Sequence, residues 1–250
     1  MVNAGAGDGF KVYPHDEAVL AWAQAAHDVA ITVSQDPVTR AANLRHAKTW
    51  FVGVDALPND ADGGIAGVPL TGPWSKDVPP QDKWHRAQLS IVYPGYPKQD
   101  PNESDANHRY RITRKAAHVD GLLPIGAARR RFLREPHAFI LGLPLNTSDA
   151  SPLVVWPGSH KVMGDAFRAG IGADDPKDID LTDIYHAARR RVFDQIDPVQ
   201  LHAEPGQAML LHRHLLHGVD VWQSGTTMPP EGRMIAYFRP EFSASEWRAP

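Results

Sequence analysis

Residues 204–222 read EPGQAMLLHRHLLHGVDVW. Pro205-Gly206 is a turn signal, and the apolar run after it predicts a short strand over Gln207–His212. Three histidines crowd the end of that strand: His212, His214 and His217. The stretch belongs to a series. From about Arg86 onward, strand candidates recur at Ala87–Tyr93, Tyr110–His118, His137–Leu143, Leu153–Trp156, Val199–Ala203 and Arg233–Phe238, separated by clusters of Gly, Pro, Asn and Asp. One helix interrupts them, with Thr182 as its cap and Ile184, Tyr185, Ala188, Val192 and Phe193 as its apolar face. Many short strands without regular helical crossovers argue against a parallel α/β sheet. They predict an α+β chain with a mainly β core, a two-sheet barrel or jelly roll with helices packed outside.

Upstream the period changes. Between Asp16 and Val33 the apolar positions recur at three- and four-residue spacing, which predicts a helix. Asp36 suits an N-cap and Pro37 a first helical position, so a second helix is expected to about Lys48. Thr49–Val54 reads as a strand, and the adjoining PNDADGGIAGVPLTGP as a loop long enough to be functional. There is no internal repeat and no low-complexity tract. The expected organisation is one domain over 1–250, helical at about 15–48 and with its jelly-roll core at about 86–240.

Composition narrows the function classes. The chain has 250 residues, 13 His and no Cys. Disulfides, thiolate metal sites and Cys nucleophiles are therefore excluded. Lys plus Arg is 26 against 29 Asp plus Glu, and this net charge of −3 argues against a dedicated nucleic-acid binder. No apolar run approaches the roughly 18 residues of a membrane span. The opening MVNAGAGDGF lacks the basic and apolar regions of a secretory leader, so a cytoplasmic protein is expected.

His118-x-Asp120, in AAHVDG, is the chemically suggestive pair. On a strand, residues i and i+2 point to one face roughly 7 Å apart, so imidazole and carboxylate converge. Such a pair arises readily by chance in a chain with 13 His. It gains meaning from three downstream stretches: PLVVWPGSH (152–160), the histidines of 212–217, and EGRMIAYF (231–238). Two His and one carboxylate from different strands form the facial triad of non-heme Fe(II) oxygenases, with three open positions on one side. A 2-oxoglutarate co-substrate needs two of these, plus a cation for its far carboxylate. Arginine grips a carboxylate with two hydrogen bonds.

The order HVDG, VVWPGSHK, PGQAMLLHRHLLHG, GRMIAYF resembles the phytanoyl-CoA dioxygenase-like branch of the Fe(II)/2-oxoglutarate-dependent dioxygenases over roughly residues 86–240. The resemblance implies a double-stranded β-helix (jelly-roll, cupin-like) core. It implies Fe(II) at His118, Asp120 and a distal histidine, with 2-oxoglutarate anchored by Arg233. The family pattern places the distal ligand directly before Gly218, which selects His217 over His214 and His212. It implies hydroxylation of a small-molecule C–H bond with O2, releasing succinate and CO2. Asp120 supports that outcome, because related halogenases lack a carboxylate there. Arg233 follows His217 by sixteen positions, more than the family's usual gap, and Thr226–Pro230 reads as a hairpin elongation.

Gln88 and Tyr93 precede the metal strand, where related enzymes draw co-substrate contacts, although barrel packing serves as well. Ser159 in the PGSH turn is read as a turn-former or co-substrate contact. Arg114 shares the His118 face by alternation and is a candidate for substrate. The runs Arg129–Arg131 and Arg189–Arg191 read as solvated faces. Expected partners are a small-molecule substrate and O2, without nucleic acid or membrane; a homodimer is allowed for. Two other classes compete: a cupin-type isomerase or hydrolase that does not use 2-oxoglutarate, and a non-catalytic jelly-roll binding protein.

Overall fold

The computed structural model describes residues 6–223 and 229–249. The expected hairpin elongation falls mostly outside these residues, as do the first five residues of the opening segment. The chain begins with β1 (Phe10–Tyr13), α1 (Glu17–Gln35), α2 (Pro37–Asn43), β2 (Leu44–Arg45) and β3 (Trp50–Gly53). Next come β4 (Gln88–Val92), α3 (Asp105–Thr113) and a hairpin of β5 (Leu122–Ile125) and β6 (Arg130–Leu133). Then follow β7 (Phe139–Pro144), β8 (Leu153–Val155), α4 (Ser159–Ile171), α5 (Thr182–Gln195) and β9 (Val199–Leu201). The chain ends with β10 (Ala208–His212), β11 (His217–Val219), β12 (Arg233–Phe238) and α6 (Ala244–Arg248).

Two antiparallel sheets make the core. The larger has the order β1-β10-β7-β12-β4-β3-β2, and the smaller β11-β8-β9. His118 extends the smaller sheet through an antiparallel bridge to His217. Along the chain, β4, β7, β10 and β12 lie in the large sheet, while the His118 segment, β8, β9 and β11 lie in the small one. This interleaving is the double-stranded β-helix, and the expected α+β class with N-terminal and flanking helices is what the molecule has. Among the described residues no helix is long and apolar enough to cross a membrane.

Strand alternation assigns the two faces of the large sheet. Leu89 and Ile91 of β4, Leu141 and Leu143 of β7, and Ala236 and Phe238 of β12 pack outward with Trp22, Ala23, Ala26 and Ala30 of α1. The alternate residues Ile140, Met209, Leu211 and Ile235 face the small sheet, meeting Leu153, Val155 and Leu201. Because both faces are covered, these strands read as apolar runs rather than as a clean alternation.

Helix α1 starts where the sequence predicts. The Asp16 side chain accepts from the Ala18 and Val19 amides at 2.9 and 3.2 Å. Helix α2 is shorter than expected. It stops at Asn43 because Leu44 and Arg45 pair with β3, and His46, Ala47 and Lys48 then take φ of 54°, 48° and 69°. The expected strand over Tyr110–His118 is wrong for most of its length: residues 105–113 are helical. Ser104 caps this helix by accepting from the Asn107 amide, and a capping serine outweighs three alternating side chains. The PGSH turn is also the start of α4, a helix that the turn signal conceals, entered through Gly158 at φ 79°.

Leu141 is fully buried between α1 and the large sheet. Leu141→Ala is expected to lower unfolding free energy by about 2–5 kcal/mol, read as a lower urea midpoint. Val38→Ala, at a side chain 79% exposed, should stay within about 0.5 kcal/mol of the parent.

Candidate metal centre

The site is built on a backbone pairing. The His118 N–H donates to the His217 carbonyl at 2.8 Å, and the His217 N–H donates to the His118 carbonyl at 3.1 Å. Residues that exchange both bonds sit about 5.5 Å apart at Cα with side chains on one side of the sheet. The two imidazole centroids are accordingly 4.6 Å apart. Asp120, two residues on, comes to the same side. Its Oδ1 lies 3.0 Å from His118 Nε2 and its Oδ2 3.8 Å from His217 Nε2. One donor atom from each of the three lies within 4.8 Å of the others.

Both rings are held in the same way. His118 Nδ1 donates to the Ala116 carbonyl and His217 Nδ1 to the Leu215 carbonyl, each at 2.9 Å. With Nδ1 held by a carbonyl, Nε2 is the nitrogen each ring can offer a metal. Gly218 is required beside His217, because a Cβ there would stand 2.2 Å from the Lys115 carbonyl oxygen. Ser159 acts from behind. It is buried, and its Oγ accepts from the Leu216 amide at 2.9 Å. Its side chain thus fixes the backbone next to His217 and is absent from the cavity lining.

A cavity of about 290 Å³ opens in front of the triad. Trp50, Val52, Val54, Leu123, Ile140, Leu153, Leu211, Val219 and Tyr237 supply its mainly apolar wall, and Gln88, Ser90, Glu135 and Arg239 its polar positions. Arg233 opens β12 on the same face as Ile235 and Tyr237. It is buried, and its Nη1 has no hydrogen-bond partner.

Not every expected residue arrives here. Tyr93 is five residues from Gln88 and therefore on the opposite face of the strand. It packs against the helical layer and accepts from Arg40 Nη1 at 3.2 Å. Arg114 succeeds α3 rather than lying on a strand, and its guanidinium sits over the Phe193 ring at 4.6 Å. His212 and His214 also lie elsewhere. The chain passes from the large sheet to the small one between His212 and His217, so these residues cannot share a face. His212 meets the His160 ring in a tilted contact, and His214 meets Trp247 and Phe167 edge-on. Arg130 is bound to Asp180 and Asp183, and Arg134 to the Lys177 carbonyl. Those cations tie the β5–β6 hairpin to the first turn of α5 and the segment before it. Arg239 is a site residue absent from the sequence expectations, although its position is readable: 233, 235, 237 and 239 alternate onto one face.

Charge is arranged to keep the site ready for a cation. Burial pushes the Asp120 pKa up, but the Arg239 guanidinium and the His118 hydrogen bond outweigh it and hold the carboxyl well below its usual range. Burial, reinforced by His118, pushes His217 down to about 4. His118 is opposed by burial but raised on balance by Asp120.

Acid sensitivity is a consequence of the buried histidines. Burial also lowers His212 to about 3, and it holds His214 well below the ordinary histidine range. Below about pH 6.5 the unfolded chain takes up protons at His212, His214 and His217 that the folded chain refuses. The raised His118 works in the opposite direction and offsets part of this. Stability of the metal-free protein is expected to fall between about pH 6.5 and 4, by at most about 1.4 kcal/mol per unit for each uncompensated histidine. Urea titrations across that range check it; a flat profile contradicts it.

No protein-family model matches the chain, and no curated protein matches it in sequence. Solved structures do match. One is the non-heme alpha ketoglutarate dependent carbocyclase SnoK from nogalamycin biosynthesis, at TM-score 0.50 and 10% identity, covering 94% of this chain and 79% of that one. Another is EctD from S. alaskensis with 2-oxoglutarate and 5-hydroxyectoine, at TM-score 0.43 and 17% identity, covering 93% and 72%. At 10% identity the likeness to SnoK is one of fold: the chain shares its double-stranded β-helix.

Proposed function

We propose that the protein is an Fe(II)- and 2-oxoglutarate-dependent oxygenase of the phytanoyl-CoA dioxygenase-like branch, hydroxylating a C–H bond of a small molecule. One juxtaposition carries the reading. A two-His, one-carboxylate donor set and a buried arginine with an unpartnered Nη1 occupy the interior of the same barrel. A buried cation with an unanswered donor is costly, and a carboxylate-bearing co-substrate would complete it. SnoK, an alpha ketoglutarate dependent carbocyclase that shares the fold, agrees with this reading.

In this reading His118 Nε2, His217 Nε2 and an Asp120 oxygen hold the iron. Their N2O set with open positions suits Fe(II). Iron bound there supplies the redox centre at which 2-oxoglutarate and O2 are converted to succinate and CO2 as one oxygen atom enters the substrate. The chain's own residues prepare this. The Ala116 and Leu215 carbonyls keep both rings in the ligating tautomer. Arg233 receives the 5-carboxylate of 2-oxoglutarate through its guanidinium fork, and Tyr237 stands beside it. The apolar wall suits a substrate with an apolar body. Val54, at the mouth, is 58% exposed, giving that body an apolar approach.

Anaerobic addition of Fe(II) and then 2-oxoglutarate should produce a weak visible charge-transfer band. Folded, iron-loaded protein that shows no band overturns the proposal. Arg233→Leu separates the dioxygenase from a cupin that does not use 2-oxoglutarate. Removing a buried, incompletely paired charge should leave the ligand-free protein as stable as the parent, or more so. Thermal stabilisation by 2-oxoglutarate should disappear.

A further inference from the structure

Arg239 sits just past β12, at the other end of the inward face that begins with Arg233. Its Nη1 lies 3.4 Å from Asp120 Oδ2, and its Nη2 donates to Gln88 Oε1. The backbone of the same residue is gripped on both sides. Its N–H donates to His85 Nε2 at 2.6 Å, and its carbonyl accepts from His137 Nδ1 at 3.1 Å. His85 Nδ1 in turn faces the Arg86 carbonyl at 2.7 Å, and His137 Nε2 faces Glu135 at 3.2 Å. Two contacts therefore fix the Arg239 backbone, and Gln88 holds one Nη of the guanidinium while the other faces a single oxygen of Asp120.

We infer that Arg239 is a positioning residue for Asp120. By occupying Oδ2 it stops the carboxylate from turning about its own axis and leaves Oδ1, the oxygen beside His118 Nε2, to face the metal position. Gln88 has a matching role. It takes the other half of the guanidinium fork, so that Arg239 cannot swing into the cavity. This inference rests on the metal-centre reading but assigns work that the triad alone does not specify. Two effects compete. A fixed cation near a metal site repels the metal, which would make removal of Arg239 tighten binding. A fixed hydrogen-bond partner pre-orients the ligand, which would make removal weaken it. The Arg239 charge is already offset by Asp120, so orientation prevails.

Co(II) alone is the probe, titrated into the full chain and monitored by its visible absorption. Arg239→Gln is expected to weaken Co(II) binding by about 10–100-fold and to change the band shape. Arg239→Lys should recover part of the loss. Gln88→Leu, which leaves Arg239 in place but frees its fork, should weaken binding by a smaller factor. Melting of the metal-free variants separates this from a merely structural role, which would move the melting temperature and leave the affinity unchanged. Should Arg239→Gln fail to fold, Gln88→Leu carries the test. Affinity that is unchanged or tighter in the folded variants, while the parent binds Co(II), overturns the inference and leaves the metal centre standing. A parent that binds no Co(II) overturns the metal-centre reading, and this inference with it.

Discussion

The reciprocal backbone pairing of His118 and His217 is the constraint on which the rest of the site depends. It joins two segments far apart in sequence by two hydrogen bonds of 2.8 and 3.1 Å. Peptide geometry then dictates that both imidazoles leave the sheet on one side. Neighbouring contacts defend it. Val219 donates to the Lys115 carbonyl at 3.0 Å, and Lys115 Nζ meets Asp220 at 2.7 Å. On the other flank, the Trp156 amide donates to the Leu216 carbonyl, and Ser159 holds the Leu216 amide. A ligand pair defined by backbone bonds is stiffer than one defined by side-chain packing, because no rotamer change can relax it.

The same alternation that organises the sheet organises the chemistry. On β12 the odd residues Arg233, Ile235 and Tyr237, with Arg239 beyond, face the smaller sheet, and the even residues face α1. A one-residue register slip would exchange Arg233 for Met234 in the interior. The outward set, Met234, Ala236 and Phe238, is fully buried against the helical layer. Packing of α1 on the outer face is thus what keeps two arginines on the inner one. The helices take part in the site without touching it.

How much of this is legible in the chain depends on the range of the interaction. Local signals are dependable: Asp16 and Asp36 cap helices, and the short apolar runs at 88–92, 208–212 and 233–238 are strands. His118 and Asp120 are legible as a pair because their relation is also local. Tyr93 misleads when grouped with Gln88, since proximity in sequence hides a change of face. The segment 105–113 misleads because Tyr110, Ile112 and Arg114 alternate by accident, whereas Ser104 and its capping bond decide for a helix. Motif order selects His217 over His212 and His214; the physical reason, a change of sheet between residues 212 and 217, lies in tertiary structure. Arg239 escapes notice in the sequence because its importance lies in partners drawn from three other segments.

Arg233 and Arg239 show what burial does to a cation in two different states of completion. Arg239 is answered in part: Asp120 supplies an opposite charge and Gln88 an acceptor, although its Nε has none. Arg233 is buried as well, but its Nη1 is left without an acceptor, and burial pushes its pKa down. An incomplete buried charge opposes folding, and a chain tolerates it only where the remaining core has stability to spare. The two-layer packing around Trp22, Leu141 and Phe238 supplies that margin. The desolvation cost of Arg233 is then already met before an anion enters the barrel. An arriving carboxylate gains a guanidinium stripped of competing water, while one that stays outside gains nothing.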